Sequence, residues 1–189
     1  MLLSAVLLVP PLARPAGAQA PVAVLAAESE ISYSGTSVLH GWTGTSRRVS
    51  GTLRLDLAQP ARSAITVRAP VASFGSGNGA RDRKMREVTH AARHPDVVFT
   101  ARTVRADAWA GAPGSRRGQW TVAGDLAFAG TTRSYTVQVA VREENGRFVA
   151  EGAFPVSLTA HGVERPRLGP IPIGDTIQLR FAIRAPLPA

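Results

Sequence analysis

Stretch after stretch of this chain alternates apolar and polar residues with a period of two. That pattern confines it to sheets with one dry face. Val49, Gly51, Leu53, Leu55 and Leu57 alternate with Thr52, Arg54 and Asp56. Ile65, Val67, Ala69 and Val71 alternate with Thr66 and Arg68. Trp120, Val122, Gly124, Leu126 and Phe128 repeat the pattern, as do Tyr135, Val137, Val139 and Val141, and then Ile177, Leu179, Phe181 and Ile183. Successive strand side chains point to opposite faces, so each run buries one face and wets the other. With Ile31–Gly35, Val97–Ala101 and Phe148–Leu158 added, the spacing predicts about eight strands joined by short turns. Nothing alternates strand with helix in the manner of a parallel sheet.

One segment breaks the alternation. Arg81 to Phe99 opens with charge, and Met85, Val88 and Ala92 then recur at the helical period. The segment predicts one short helix near residues 81–93, stopped by His94-Pro95, because a residue before proline is pushed out of the helical region. The helix separates two strand-rich halves, Val22–Phe74 and Val97–Ala185. Elsewhere Gly41-Trp42-Thr43-Gly44 suggests a bend or bulge. Ala110–Gly118 and Ala160–Gly174 read as loops, and Asn145-Gly146 as a tight hairpin. The expected fold is all-β: a single antiparallel barrel with one helix at an end.

The 189 residues suffice for one domain with a sizeable core. Absence of cysteine excludes disulfides, thiolate metal sites and cysteine nucleophiles. Leu2–Val9 is an apolar run too short for a membrane span, and Ala18-Gln19-Ala20 is a small-x-small pattern. Residues 1–20 therefore read as a signal peptide, despite the missing basic start, with residues 21–189 as the mature domain. A periplasmic or extracellular location is expected.

A barrel of this size can fill with side chains or hold one elongated ligand. Dry-face candidates for its interior are Trp42, Leu53, Leu55, Ile65, Val67, Phe99, Trp120, Leu126, Phe128, Tyr135, Phe154 and Phe181. Met85 and Val88 of the helix would line or gate one end. Gly51, Gly124 and Gly152 sit among the dry-face residues, and either make room for a ligand or permit strand coiling.

The order of motifs resembles the YceI-like family of secreted bacterial proteins. Ser37–Gly44 followed by Gly51-Thr52-Leu53-Arg54-Leu55-Asp56 is similar to its opening strands. Arg81-Asp82 through Met85, then His94-Pro95 and Phe99, resembles its Arg-Asp, Tyr-Pro and Phe pattern. Val122–Leu126 with Gly130-Thr131-Thr132-Arg133 resembles its central hairpin, and Gly162-Val163 with Asp175-Thr176-Ile177 its closing segment. His94 replaces the family's aromatic residue before proline, and Ala129 the histidine of its turn. The resemblance implies a lipocalin-like barrel whose apolar cavity holds a polyisoprenoid or an isoprenoid quinone. Composition and spacing by themselves imply only a barrel with an apolar face. The competing reading is a barrel with a filled core, acting as a protein-interaction or stress-response module.

Other chemistries find little support. His90 and His94 are four apart, and with His40 a three-histidine metal site is conceivable. Pro95 removes His94 from helical geometry, so no metal is expected and the histidines read as surface or capping residues. Arg81, with His40, is the candidate contact for a polar ligand head. Alternatively, Asp82 simply complements the helix dipole beside it. No serine lies in a Gly-x-Ser-x-Gly elbow, and Asp56 and Asp125 fall on wet faces, so no catalytic residue is assigned. Lys+Arg is 22 against Asp+Glu 13, and Lys84 is the sole lysine. Arg54, Arg68, Arg142, Arg180 and Arg184 fall on the wet faces of different strands without interleaved aromatics, which disfavours nucleic acid. Weak attraction to an anionic membrane surface fits better. A homodimer is compatible with the pattern.

Overall fold

The computed structural model describes residues 20–36, 41–165, 167–168 and 171–188. His40, and all but the last residue of the segment 1–20 that the sequence reads as a signal peptide, lie outside them. Ten strands form one antiparallel sheet: β1 (Val22–Ala23), β2 (Glu30–Thr36), β3 (Gly41–Ser46), β4 (Ser50–Arg54), β5 (Ala64–Pro70), β6 (Asp96–Ala110), β7 (Arg117–Phe128), β8 (Thr131–Glu144), β9 (Arg147–Ser157) and β12 (Thr176–Pro186). Their order is β1-β4-β5-β6-β7-β8-β9-β12-β2-β3. A small separate pair, β10 (Arg167–Leu168) and β11 (Ile171–Pro172), lies within the 160–174 connection that the composition reads as a loop.

The all-β antiparallel expectation holds, with more strands than the alternation counts. The sheet is strongly curled, and among the described residues no ladder closes it between its edge strands β1 and β3. Other bonds tie the two edges back to the sheet. Thr45 of β3 exchanges hydrogen bonds with Gly75 at 2.9 and 3.0 Å, and Leu25 N–H donates to the Arg184 carbonyl of β12 at 2.7 Å.

Strand β6 shows why alternation alone under-reads the sheet. Its register against β7 shifts between Ala101 and Thr103 and again between Ala106 and Ala108. Each extra residue flips the side that faces inward. Val97, Phe99 and Ala101 face in, then Val104 and Ala106, then Trp109. Alternation thus announces only the first part of this long strand, Val97–Ala101.

The helix α1 spans Gly79–Val88 and ends sooner than His94-Pro95 would require. Asn78 caps its start, accepting from the Ala80 and Arg81 backbone N–H groups at 3.1 and 3.0 Å. At its end the Thr89 hydroxyl donates to the Met85 carbonyl at 2.7 Å, and His90 turns left-handed with φ of 52°. His90 and His94 therefore do not share a helical face. The His94 ring instead lies across the β7–β8 turn, where a Cβ on Gly130 would come within 2.6 Å of its Nε2.

The expected bend at Gly41–Gly44 is also absent. β3 runs as a regular ladder against β2, pairing Gly35 with Trp42 and Gly44 with Tyr33. The glycines serve the aromatics: the Trp42 ring covers Gly35 and the Tyr33 ring covers Gly44, leaving no room for a Cβ. The same device recurs where Phe99 lies over Gly124 and Phe181 over Gly152, each ring 2.7 Å from where a Cβ would stand. These glycines give the rings the space that a Cβ would take.

One end of the curl is plugged. Trp120, 1% exposed, packs on Trp109 at 5.4 Å and on Phe148 at 5.3 Å between ring centroids. Trp109 Nε1 and an Arg116 guanidinium nitrogen both donate to the Leu57 carbonyl at 2.9 Å. The buried Glu143 carboxylate accepts from the Gly114 and Arg116 backbone N–H groups and pins the β6–β7 turn over this end. Glu143 lies beside the Arg116 guanidinium, so its buried charge is paired.

Candidate functional site

The opposite end is open. Beneath α1 lies a cavity of about 480 Å³, within the range of sites that hold small organic ligands. Its walls are predominantly apolar: Val71, Phe74, Val97, Leu126, Phe128, Val156, Leu158, Val163, Ile177 and Leu179 contribute, with Tyr33 and Trp42 from β2 and β3. The helix supplies Arg81, Lys84, Met85 and Val88. Val97, Leu126 and Leu179 also line a second, deeper space of about 100 Å³ toward the plugged end. Along β7 the sequence order maps onto depth: Phe128 and Leu126 face the upper chamber, Val122 and Trp120 the lower one.

Of the residues assigned to the interior from the sequence, Trp42, Met85, Val88, Leu126 and Phe128 line the upper chamber. Leu53, Ile65, Val67, Phe99, Trp120, Phe154 and Phe181 line the lower one, with Leu126 common to both. Leu55 is fully buried but lines neither, being part of the packed core. Tyr135 lines neither as well; its ring packs on Phe154 at 5.2 Å between centroids. Sequence reasoning missed Tyr33, Phe74, Leu158, Val163 and Leu179 as lining. Leu179 and Tyr33 stand in the dry register of recognised strands, so the alternation carried that signal. Leu158 and Val163 flank a short 3-10 turn, Thr159–His161, whose conformation no periodicity announces.

Arg81 stands at the rim, half-buried. Its guanidinium carbon is 5.6 Å from the Trp42 ring centroid, within cation–π range, and the guanidinium donates to Ser76 Oγ at 3.3 Å. The neighbouring Asp82 carboxylate accepts from the Ser76 N–H at 3.1 Å and from its hydroxyl at 2.6 Å, fastening the loop before α1 to the helix. Burial, and then the Asp82 charge, push the Tyr33 phenol above its ordinary value, so Tyr33 stays protonated at the rim.

His161 is the residue whose reading changes most. It is fully buried, where the sequence suggested a surface or capping role. Nδ1 lies 3.1 Å from the Thr131 carbonyl and Nε2 2.9 Å from the Tyr135 hydroxyl. A carbonyl only accepts, so Nδ1 carries the proton and Nε2 accepts from Tyr135. Its ring stacks on Tyr135 at 6.0 Å and meets Phe128, a cavity wall, edge-on at 5.6 Å. Burial holds its pKa below the ordinary 6.5, outweighing the backbone hydrogen bonds that raise it. The unfolded chain binds this proton near 6.5 while the folded chain resists it. The stability that His161 contributes is thus complete above pH 6.5 and declines as pH falls below it, by up to about 1.4 kcal/mol per pH unit. We expect denaturant unfolding of the wild type to weaken between pH 7 and 5, and H161Q to flatten that slope. Parallel slopes for the two proteins would show that another group dominates.

Among the described residues no three histidine, cysteine or acidic side chains come together as a metal site. Asp125 is engaged by Arg102 and by the Ser134 hydroxyl, and Asp56 caps the turn after β4. What the site can offer is apolar volume, a cationic rim and a closed floor.

Comparison with known proteins agrees with this geometry. None of the curated proteins matches the chain. Among solved structures, BcnA of Burkholderia cenocepacia superposes with a TM-score of 0.73 at 22% identity, over 86% of this chain and 99% of that one. A polyisoprenoid binding domain from Saccharophagus degradans, implicated in plant cell wall breakdown, gives 0.73 at 14% identity, over 90% and 99%. A Campylobacter jejuni YCEI protein gives 0.57 at 15% identity, over 76% and 84%. At these identities the likeness is one of fold. The family model described as the YceI-like domain matches residues 23–185, and the chain, curled sheet, helix and cavity together, belongs to that family.

Proposed function

We propose that this protein is a non-enzymatic lipid carrier, holding a long-chain polyisoprenoid or isoprenoid quinone in the cavity beneath α1. The observation that carries the reading is the apolar cavity of about 480 Å³ beneath α1, which shares Val97, Leu126 and Leu179 with a second apolar space floored by Trp120. A filled barrel would have ended it. Here the large aromatics Trp109, Trp120 and Phe148 pack together at one end, and the cavity beneath α1 remains. The fold shared with the Saccharophagus degradans polyisoprenoid binding domain supports the same ligand class. Burial of an apolar tail would supply affinity at ~25 cal/mol per Å², less the cost of ordering it.

The proposed setting is the periplasm or the extracellular space, after removal of residues 1–20. α1 bears Arg81, Arg83, Lys84 and Arg86 against Asp82 and Glu87. That excess of cations beside the opening would draw it toward an anionic membrane surface. The reading is tested by organic extraction of freshly purified protein and mass spectrometry of the extract. A stoichiometric isoprenoid is expected. A protein that emerges empty and also takes up no added quinone would refute the carrier reading.

A further inference from the structure

Helix α1 lays a stripe of four residues over the cavity: Arg81, Lys84, Met85 and Val88. Their spacing of three and four places them on one face. The polarity of the stripe changes along its length. Both cations stand in the first two turns, and the last two positions are apolar. The polar side chains Asn78 and Tyr33 line the cavity with Arg81, while Val97, Leu126 and Leu179 lead on to the lower chamber. Among the described residues no aspartate or glutamate lines either chamber.

Arg81 is set as a receptor for an anion rather than as half of an ion pair. Among the described residues its guanidinium hydrogen-bonds only to the neutral Ser76 hydroxyl, and it forms no ion pair. The acidic group beside it, Asp82, already accepts the N–H and the hydroxyl of Ser76. The Trp42 ring supports the guanidinium from one side and limits its motion. Lys84 is held by Glu87 at 2.8 Å in an exposed pair, which is weak and exchangeable. A neutral head would leave the Arg81 charge unmatched at a half-buried rim. A phosphate offers the fork of oxygens that a guanidinium binds best.

On the footing that the cavity binds an isoprenoid, we propose that it selects one with an anionic phosphate head, held by Arg81 at the rim with the tail directed toward Trp120. The test compares farnesyl phosphate with farnesol, which share a tail, by isothermal titration of the full chain. Farnesyl phosphate is expected to bind at least tenfold tighter at low salt, and the gap should narrow as salt rises. In R81Q the phosphate ligand should fall to the affinity of farnesol. Equal affinities in the wild type, or a gap that survives R81Q, would overturn head selection while leaving the lipid cavity standing. If neither compound binds, the carrier reading falls with it. The wild-type comparison does not depend on how well the variant folds.

Discussion

Val97→Trp is expected to abolish most lipid binding while leaving the fold in place. Val97 lies on β6, is nearly buried, and lines both chambers at their junction. An indole there would enter open space rather than packed core. The usual overpacking penalty of about 1–3 kcal/mol should therefore shrink to about 1 kcal/mol or less. For the ligand the same ring is an obstacle. If the tail is denied about 100 Å² of apolar contact in the lower chamber, the loss at ~25 cal/mol per Å² is about 2.5 kcal/mol, roughly 70-fold in affinity. Titration with an isoprenoid quinone, alongside thermal unfolding, separates the two effects. A variant that binds quinone as tightly as the wild type would mean that the tail does not pass between the chambers.

Trp120→Ala carries the largest expected cost in stability. Trp120 floors the lower chamber and is wedged between Trp109 and Phe148. Truncating a buried tryptophan costs about 3–5 kcal/mol, through lost transfer energy and the void left behind. For a chain of this size that lowers the melting temperature by roughly 6–20 °C. The indole nitrogen of Trp120 is buried with no hydrogen-bond partner among the described residues. Trp120→Phe therefore removes volume but no hydrogen bond, and should cost less than half as much as alanine. Calorimetry of the two variants decides this. Equal losses would show that the indole N–H contributes after all, for instance to the face of a neighbouring ring.

Much of the architecture is legible in the residues. Trp120, Val122, Leu126 and Phe128 announce their inward face by spacing alone, and the structure lays them along the cavity in that order. The helix is legible through Met85 and Val88, although its end is not. His94-Pro95 is a strong stop signal, yet the chain leaves the helix earlier, at a threonine that bonds back to Met85 and a left-handed His90. Such local choices depend on what the next segment must reach. Here that is the β7–β8 turn, over which His94 settles.

The burial of His161 is hidden in the sequence for a related reason. A histidine in a polar, glycine-rich stretch gives no sign that Tyr135 and Thr131, 26 and 30 residues before it, will supply its partners. The two bulges of β6 are equally silent, because each reverses the inward parity without a glycine or proline to mark it. The glycines of β2, β3, β7 and β9 were visible as exceptions to the pattern. Only the pairing register shows that each accommodates an aromatic ring.

The sequence by itself determined the period-two pattern, and with it an antiparallel sheet with one dry face, one helix and a cysteine-free core. Those follow from local sterics and from the sign of each residue's transfer energy, which every residue carries with it. The tertiary structure alone decided that the dry face encloses space instead of filling it. Where the Phe99 and Phe181 rings find room depends on which glycine stands on the neighbouring strand, and so on register. Register is a relation between distant segments, and no residue carries it alone.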